Sequence, residues 1–298
     1  MVSIIASEVS TARLHGYLLG AVGPRPIAFA STVDGRNRPN LSPFSFFNVF
    51  GSNPPILIFS PSRRVRDNST KHTLENVLDN REVVINVVNY DMVQQMSLSS
   101  TEYGEGENEF IKAGLSMLPS DLVKPFRVAE SPVQFECKVV KVEPLGKEGG
   151  AGNLIFSEVL KIHVDADILD ENGDIDQFKI DQVARMGGNW YSRANMGLFE
   201  VPKPVSNLGI GVDRIPEHIR LSKILTGNDL GMLGNIEKLP SKEEVKFYVD
   251  SNVDLRSLLS ADDEVLLHTK AQELLKSKDV LAAWKVLLAQ MPPYKKLT

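Results

Sequence analysis

The chain has 298 residues, 42% of them hydrophobic and 24% charged, proportions that support a packed core and exclude wholesale disorder. Its 38 acidic against 33 basic residues give a formal charge of -5, which excludes general nucleic-acid binding through a basic face but permits a local phosphate site. No apolar run approaches the roughly 18 residues that span a bilayer, and the start MVSIIASEVS lacks the basic and apolar regions of a signal peptide, so a cytoplasmic location is expected.

In chain order, Ile27 to Val33 reads as a strand, Asp34-Gly35 as a turn, and Pro39 to Val49 as a second extended segment returning beside the first in a hairpin. Ala28, Ala30 and Thr32 share one face of the first strand, where small side chains let a planar ligand approach the backbone. The returning segment NLSPFSFFN mixes Asn40, Ser42, Ser45 and Asn48 with Phe44, Phe46 and Phe47, and Pro43 removes a backbone donor from its middle. Two readings fit: an edge strand with an aromatic core face and solvated serines, or a broken ladder that leaves backbone groups for a ligand.

Pro54-Pro55 opens a short apolar strand, Ile56 to Ser60, after which the polar segment Pro61 to Lys71 is a loop. Thr73 to Asn80 carries Leu74, Val77 and Leu78 at spacings of three and four, a short helix facing the core through those side chains. Ahead of it stand Ser60, Ser62, Arg63, Arg64 and Arg66, then Asn68 to Thr73. A helix start offers unpaired amides and a favourable dipole to an anion, and these hydroxyl and cationic side chains add donors, which makes a candidate phosphate seat. A solvated basic loop with a threonine cap has the same composition, and His72 fits either a surface position or a ligand contact. Glu82 to Val88 follows as a strand, Asp91 as the N-cap of a helix through Met92, Val93, Met96 and Leu98, and YGEGENEF as an exposed acidic loop.

Long strands return over Val133 to Val142 and Leu154 to Ile168, joined by GKEGGAG. Cys137 is the only cysteine, which excludes an intrachain disulfide and a multi-cysteine metal site. Its alternation with Val133, Phe135 and Val139 marks it as a buried small hydrophobe, with Lys138 on the opposite face. The five histidines, His15, His72, His163, His218 and His268, share no short ligand spacing, so no metal centre is expected and His163 reads as structural. Asn172-Gly173 supplies a turn before RMGGNWYSR at 185–193.

From about residue 204 the periodicity becomes helical. Pro216 starts a helix before Ile219, Ile224 and Leu225; GNDLGMLGN interrupts the pattern with glycines; Ser241 and Glu244 form a capping box. Ser260 is placed as the cap of a helix carrying Val265, Leu266, His268, Leu274 and Leu275, and Asp279 opens a last one with Trp284. Two domains follow, residues 1–203 and 204–298. The chain has no GxGxxG after a strand, no P-loop, no HExxH and no GxSxG, which disfavours a Rossmann nucleotide domain.

An aromatic-lined slot beside an anion seat is what a mononucleotide needs. The segments PRPIAFAST with its DG turn, NLSPFSFFN, the PP before ILIFS, the basic loop into KHTLENV, EVVINVV and RMGGNWYSR stand in order over about residues 12 to 200. In them the chain resembles the flavin reductase-like, FMN-binding split-barrel (flavoredoxin-like) family. That resemblance implies an α+β fold dominated by a six-stranded, Greek-key-like β-barrel, from which residues 204–298 depart as a helical extension, and a homodimer with FMN near the interface. It places Ser42, Pro43, Phe44 and Ser45 around the isoalloxazine ring, with Ala30, Ser31 and Thr32 nearby. Ser60, Lys71 and Thr73, with Arg63, would meet the phosphate; Arg185 and Tyr191 would belong to the cofactor or nicotinamide side, with helix packing as their other reading. The flavin would carry the chemistry, with NADH or NADPH as donor and flavin or another small acceptor as target, and no metal, nucleic acid or membrane is implied. A flavin-dependent oxidase or monooxygenase, and an FMN-binding electron-transfer or sensory module, stay open beside that reading.

Overall fold

In the computed structural model, which describes residues 1–201, 208–261 and 263–290, the hairpin expected around Asp34-Gly35 forms between β1 (Ala28–Val33) and β2 (Pro39–Phe44), with Ala30 opposite Ser42 and Phe29 opposite Pro43. A helix, α1 (Thr11–Ala21), precedes it. There follow β3 (Phe47–Ser52), β4 (Pro55–Phe59), α2 (His72–Asn80), β5 (Glu82–Asn86), α3 (Val93–Leu98), α4 (Glu109–Ala113) and the short pair β6 (Met117–Leu118) and β7 (Arg127–Val128). The long strands β8 (Val133–Pro144) and β9 (Asn153–Val164) come next, then the hairpin of β10 (Val183–Arg185) and β11 (Tyr191–Arg193).

The main sheet is antiparallel, in the order β2-β1-β5-β8-β9-β4-β3. Its two edges, β2 and β3, are separated in the chain only by Ser45 and Phe46. Such a link reaches roughly 10 Å, so the sheet has to curl until its edges meet, giving a barrel split at that corner. The sheet therefore has seven strands, not six: the segment read as one strand from Pro39 to Val49 breaks at Ser45, and its second half pairs with β4 at the other edge. Apolar alternation runs through the break, so the pattern alone does not reveal it.

All six residues of β1 are buried. Ala28 and Ala30 lie in the barrel core with Phe44, Phe59, Val83, Ile85 and Ile155, where the Phe44 and Phe59 rings sit 5.5 Å apart. On its other face Phe29 packs with Leu41, Met92, Met96 and Phe110. The small residues of β1 thus make room for two phenylalanines of the chain itself. Cys137 joins the barrel core, and burial, helped by the Glu136 charge, pushes its thiol pKa well above the ordinary value. In α2, Leu74 and Val77 face inward as expected, whereas Leu78 is 48% exposed.

Two local readings change. The turn into α3 is closed by Asn89, whose Oδ1 accepts from the Met92 amide at 3.3 Å; Asp91 does not cap it. The acidic stretch expected to be exposed contains α4, capped by Asn108, with Glu109 and Phe110 buried. The Glu109 carboxylate accepts from the Leu41 amide at 3.0 Å and so pins β2 from outside. Burial pushes its pKa upward.

The second unit, Glu200–Thr298, is helical: α5 (Glu217–Arg220), α6 (Gly227–Gly234), α7 (Lys242–Asp250), α8 (Val253–Ser260), α9 (Glu264–Lys276) and α10 (Val280–Ala289). The first unit ends at Phe199, while the boundary expected at residues 203 and 204 lies outside the described residues. The glycines of GNDLGMLGN do not interrupt a helix; they form α6, started by a capping box of Thr226 and Asp229. Gly234 packs closely there: a Cβ would meet the Gly211 carbonyl carbon at 3.1 Å, tighter than an ordinary contact. Ser241 and Glu244 make the expected capping box and Asp279 the expected cap, but Ser260 ends α8 and Asp263 caps α9. Among the described residues, no helix is long and apolar enough to cross a membrane.

His268 is buried in this unit. Its Nδ1 lies 2.7 Å from Ser222 Oγ and its Nε2 2.9 Å from Gln290 Nε2. With the Gln290 amide donating to Nε2, the proton of the neutral ring sits on Nδ1 and donates to Ser222. Burial is the main force lowering its pKa, opposed by Glu264. A base with a depressed folded pKa contributes stability above its unfolded pKa that is lost as pH falls. The thermal midpoint of the helical signal is therefore expected to hold above about pH 7 and to decline below about pH 6.5. A His268→Gln chain should melt lower but with a flatter profile; an equally steep fall in that variant would place the titrating group elsewhere.

Candidate functional site

Charged side chains gather at the start of α2. Lys71 occupies the N-cap position in an extended conformation, and no side chain caps the helix. The first amides of α2 thus lack intrahelical acceptors and present the positive end of the helix dipole. The loop before it is rigidly held: Arg63 donates to Asn68 Oδ1 and the Asn68 carbonyl, both at 2.6 Å, and Arg64 to Ser69 Oγ at 3.0 Å and the Thr70 carbonyl. Glu102 stands against this loop, 2.9 Å from Arg64, 2.7 Å from Arg66 and 3.7 Å from Lys71. Burial, then the Arg64 charge, press the Lys71 pKa down, the state of a cation short of negative partners.

A cleft runs from this helix start along the outer edge of the barrel. Alternation on the split strand turns Phe44 into the core and Pro43 and Ser45 outward, where with Ile27, Met96, Arg185 and Tyr191 they line a recess of about 160 Å³. Ser100 is shared with a neighbouring narrow polar neck of about 30 Å³ that includes Ser42, Lys71, His72 and Thr73. Arg64, Lys71 and Glu102 line both the neck and an adjoining outer pocket of about 510 Å³, walled by Leu14 and Leu18 of α1 and by Val65.

The hairpin of β10 and β11 closes the recess end. Arg185 stacks over the Tyr191 ring at 4.6 Å, and the two residues form a wall of the recess opposite Met96 of α3. The hairpin is docked by paired backbone bonds between Arg25 and Arg185, 3.0 and 2.8 Å. The buried Arg25 side chain extends that joint, donating to the Leu19 carbonyl at 2.7 Å, to the Val22 carbonyl and to the Met186 carbonyl at 2.8 Å.

Of the residues named from sequence, Ser42, Pro43, Ser45, Arg63, Lys71, Thr73, Arg185 and Tyr191 all line this cleft. Two of them bring less than their full side chains: the Thr73 hydroxyl accepts from Asn40 at 3.0 Å, and the Arg63 guanidinium is spent on Asn68. Ala30, Ser31, Thr32 and Phe44 are buried away from it, because β1 is covered on both faces and Phe44 fills the barrel. Ser60 is also sealed in; its hydroxyl has no hydrogen-bond partner and lies where a Cβ on Gly152 would come within 2.7 Å. Arg25, Ser100, Glu102 and Glu109 were not legible as site residues. Arg25 sits between two prolines in the PRP run, a signal that its backbone is fixed, whereas the acidic, glycine-rich context of Glu102 and Glu109 gives no such signal.

Away from the cleft, Asp121, Glu136 and His163 bring three potential ligand atoms within 4.8 Å of one another, a grouping invisible to sequence spacing. The carboxylate of Glu136 is already satisfied by the Asp121 and Leu122 amides and by His163 Nε2 at 2.6 Å, and Lys161 neutralises Asp121. The cluster reads as the anchor of the 119–123 segment.

Comparison with known proteins converges on one family. Residues 21–179, more than half of the chain, match the family model for the flavin reductase like domain. An uncharacterized protein of Aquifex aeolicus (strain VF5) is 40% identical over 190 residues, 64% of this chain and 94% of its own. Nitrilotriacetate monooxygenase component B from Bacillus cereus is 26% identical at a TM-score of 0.64, covering 67% of this chain and 98% of that one. A split-barrel-domain protein of Shewanella frigidimarina NCIMB 400, provisionally named a flavin reductase, is 25% identical at a TM-score of 0.57, covering 66% and 96% respectively.

Proposed function

Since the chain belongs to the flavin reductase-like family of split-barrel, flavin-related oxidoreductases, we propose that it binds FMN in the cleft of its first unit and uses NADH or NADPH to reduce flavin or another small acceptor. The observation that carries this reading is the adjacency of the hollows: a recess with Ile27, Pro43 and Met96 in its wall shares Ser100 with a polar neck, which is lined by Lys71 at an uncapped, cationic helix start. A mononucleotide has that same polarity, flat ring at one end and phosphate at the other.

The donor set fits the group. Lys71, Arg64 and the first amides of α2 would hold the phosphate, with Ser42 and Ser100 along the neck for the polar chain between phosphate and ring. Pro43, Ile27 and Met96 exclude water from the recess. Arg185, steadied on Tyr191, fixes a positive charge there, which favours an electron-rich ring without reorganisation. Flavin, when bound, supplies the acceptance of hydride from a nicotinamide and its onward delivery as electrons. No nucleophile or general base of the chain is required.

The same reading includes a homodimer in a cytoplasmic setting. Two features support the dimer: α1 has no buried residue although it carries Leu14, Leu18 and Leu19, and the edge strand β3 leaves Val49 64% and Phe50 65% exposed. A second copy covering α1 would also deepen the outer pocket that Leu14 and Leu18 wall.

The test is spectroscopic. Purified protein mixed with FMN should show a perturbed flavin spectrum, and anaerobic NADH or NADPH should bleach it. Bound flavin that ignores both nicotinamides would favour an electron-transfer module, and a protein with no flavin affinity would end the proposal.

A further inference from the structure

The carboxylate of Glu102 occupies an unusual place. It lies at the junction of the neck and the outer pocket, lining both, and draws three cations toward itself: Arg64 at 2.9 Å, Arg66 at 2.7 Å and Lys71 at 3.7 Å. Its side chain is 41% exposed, so it is not fixed by packing. Among the described residues, the only other carboxylate paired with these cations is Asp67, which bonds Arg66 at 2.9 Å and is itself held by Ser69. Three positive charges against two negative leave the cluster one positive charge in excess. The uncapped amides of α2 add to that excess.

We propose that Glu102 is a built-in counter-anion that holds the phosphate seat, so that a ligand must displace it and only a ligand carrying its own phosphate gains by doing so. The proposal rests on the cleft reading above and adds a specificity-determining residue to it. The bonds of Glu102 go to side chains alone, whereas a phosphate group has oxygens enough to take the same cations and the free amides of α2 together. A flavin without phosphate offers nothing to the seat and leaves Glu102 where it is. Glu102 thereby prevents the vacant cation cluster from repelling itself, lowers the affinity for phosphate-bearing ligands, and leaves ring binding untouched.

The experiment compares FMN, riboflavin and inorganic phosphate on the full chain and its Glu102→Gln variant, with Glu102→Asp as the charge-retaining control. Glu102→Gln is expected to bind FMN roughly three- to thirtyfold more tightly, the equivalent of two exposed charge pairs released to the ligand, with riboflavin affinity unchanged and Glu102→Asp close to the parent. Inorganic phosphate should likewise raise the melting temperature of Glu102→Gln more than that of the parent. An unchanged ratio of FMN to riboflavin affinity, or weaker FMN binding in Glu102→Gln, would overturn the proposal, since a carboxylate that merely organises the cations predicts the latter. If neither flavin binds while phosphate still prefers Glu102→Gln, the flavin reading fails and the counter-anion stands; if flavins bind but phosphate and FMN do not distinguish the two chains, the reverse holds.

Discussion

Replacing Lys71 by alanine is expected to weaken FMN binding roughly tenfold to a hundredfold, the size of one charge-assisted hydrogen bond to a phosphate, and to leave riboflavin binding nearly unchanged. Lys71 stands at the N-cap of α2 and lines the neck together with His72 and Thr73, the first residues of the helix. Its nearest negative partner, Glu102, is 3.7 Å away and shared with two arginines. Because burial and Arg64 already disfavour its charge, an arriving phosphate gains more from Lys71 than it would from an isolated surface lysine. Fluorescence titration with both flavins is the measurement. Equal losses for FMN and riboflavin would mean that the substitution damaged the fold or the recess and that the phosphate does not sit at the helix start.

Trp284→Ala is expected to destabilise the helical unit by about 3–5 kcal/mol. The ring is fully buried in α10 among Leu233, Leu267, Leu275 and Leu287, and its indole nitrogen donates to the Leu233 carbonyl at the end of α6 at 3.0 Å. Truncation leaves both a cavity and an unpaired carbonyl, two costs that add. Urea unfolding followed by far-ultraviolet circular dichroism should show the midpoint of the helical transition falling. Trp284→Phe, which fills most of the volume without the hydrogen bond, should recover most of the loss. A change below about 0.5 kcal/mol for Trp284→Ala, the range of a typical surface substitution, would mean that this core does not form as described.

The barrel and the cationic helix start were legible in the sequence because each rests on local chemistry. Period-two alternation marks the long strands, the proline pair marks the start of β4, and serines, arginines and a lysine ahead of Leu74 and Val77 mark a cationic helix start. What stayed hidden was decided by contacts distant in the chain. Ala28 and Ala30 look like a platform for a ring, yet they are small because Phe44 and Phe59 fill the barrel opposite them. Glu109 and Arg25 look like surface charges until β2 and the β10–β11 hairpin are brought to them. Glycines misled in the opposite sense at α6, where composition suggests a break and the chain forms a helix whose last residue, Gly234, packs closely on Gly211.

The corner at Ser45 and Phe46 carries one more implication. A two-residue buckle fastens the first edge of the belt to the last, so neither edge strand can slide in register unless the other slides with it. Ser45 faces the ligand recess from the buckle itself. A molecule seated there would therefore act as a rivet through the fastening, and lengthening the buckle by even one residue would slacken the recess well before it unravelled the core.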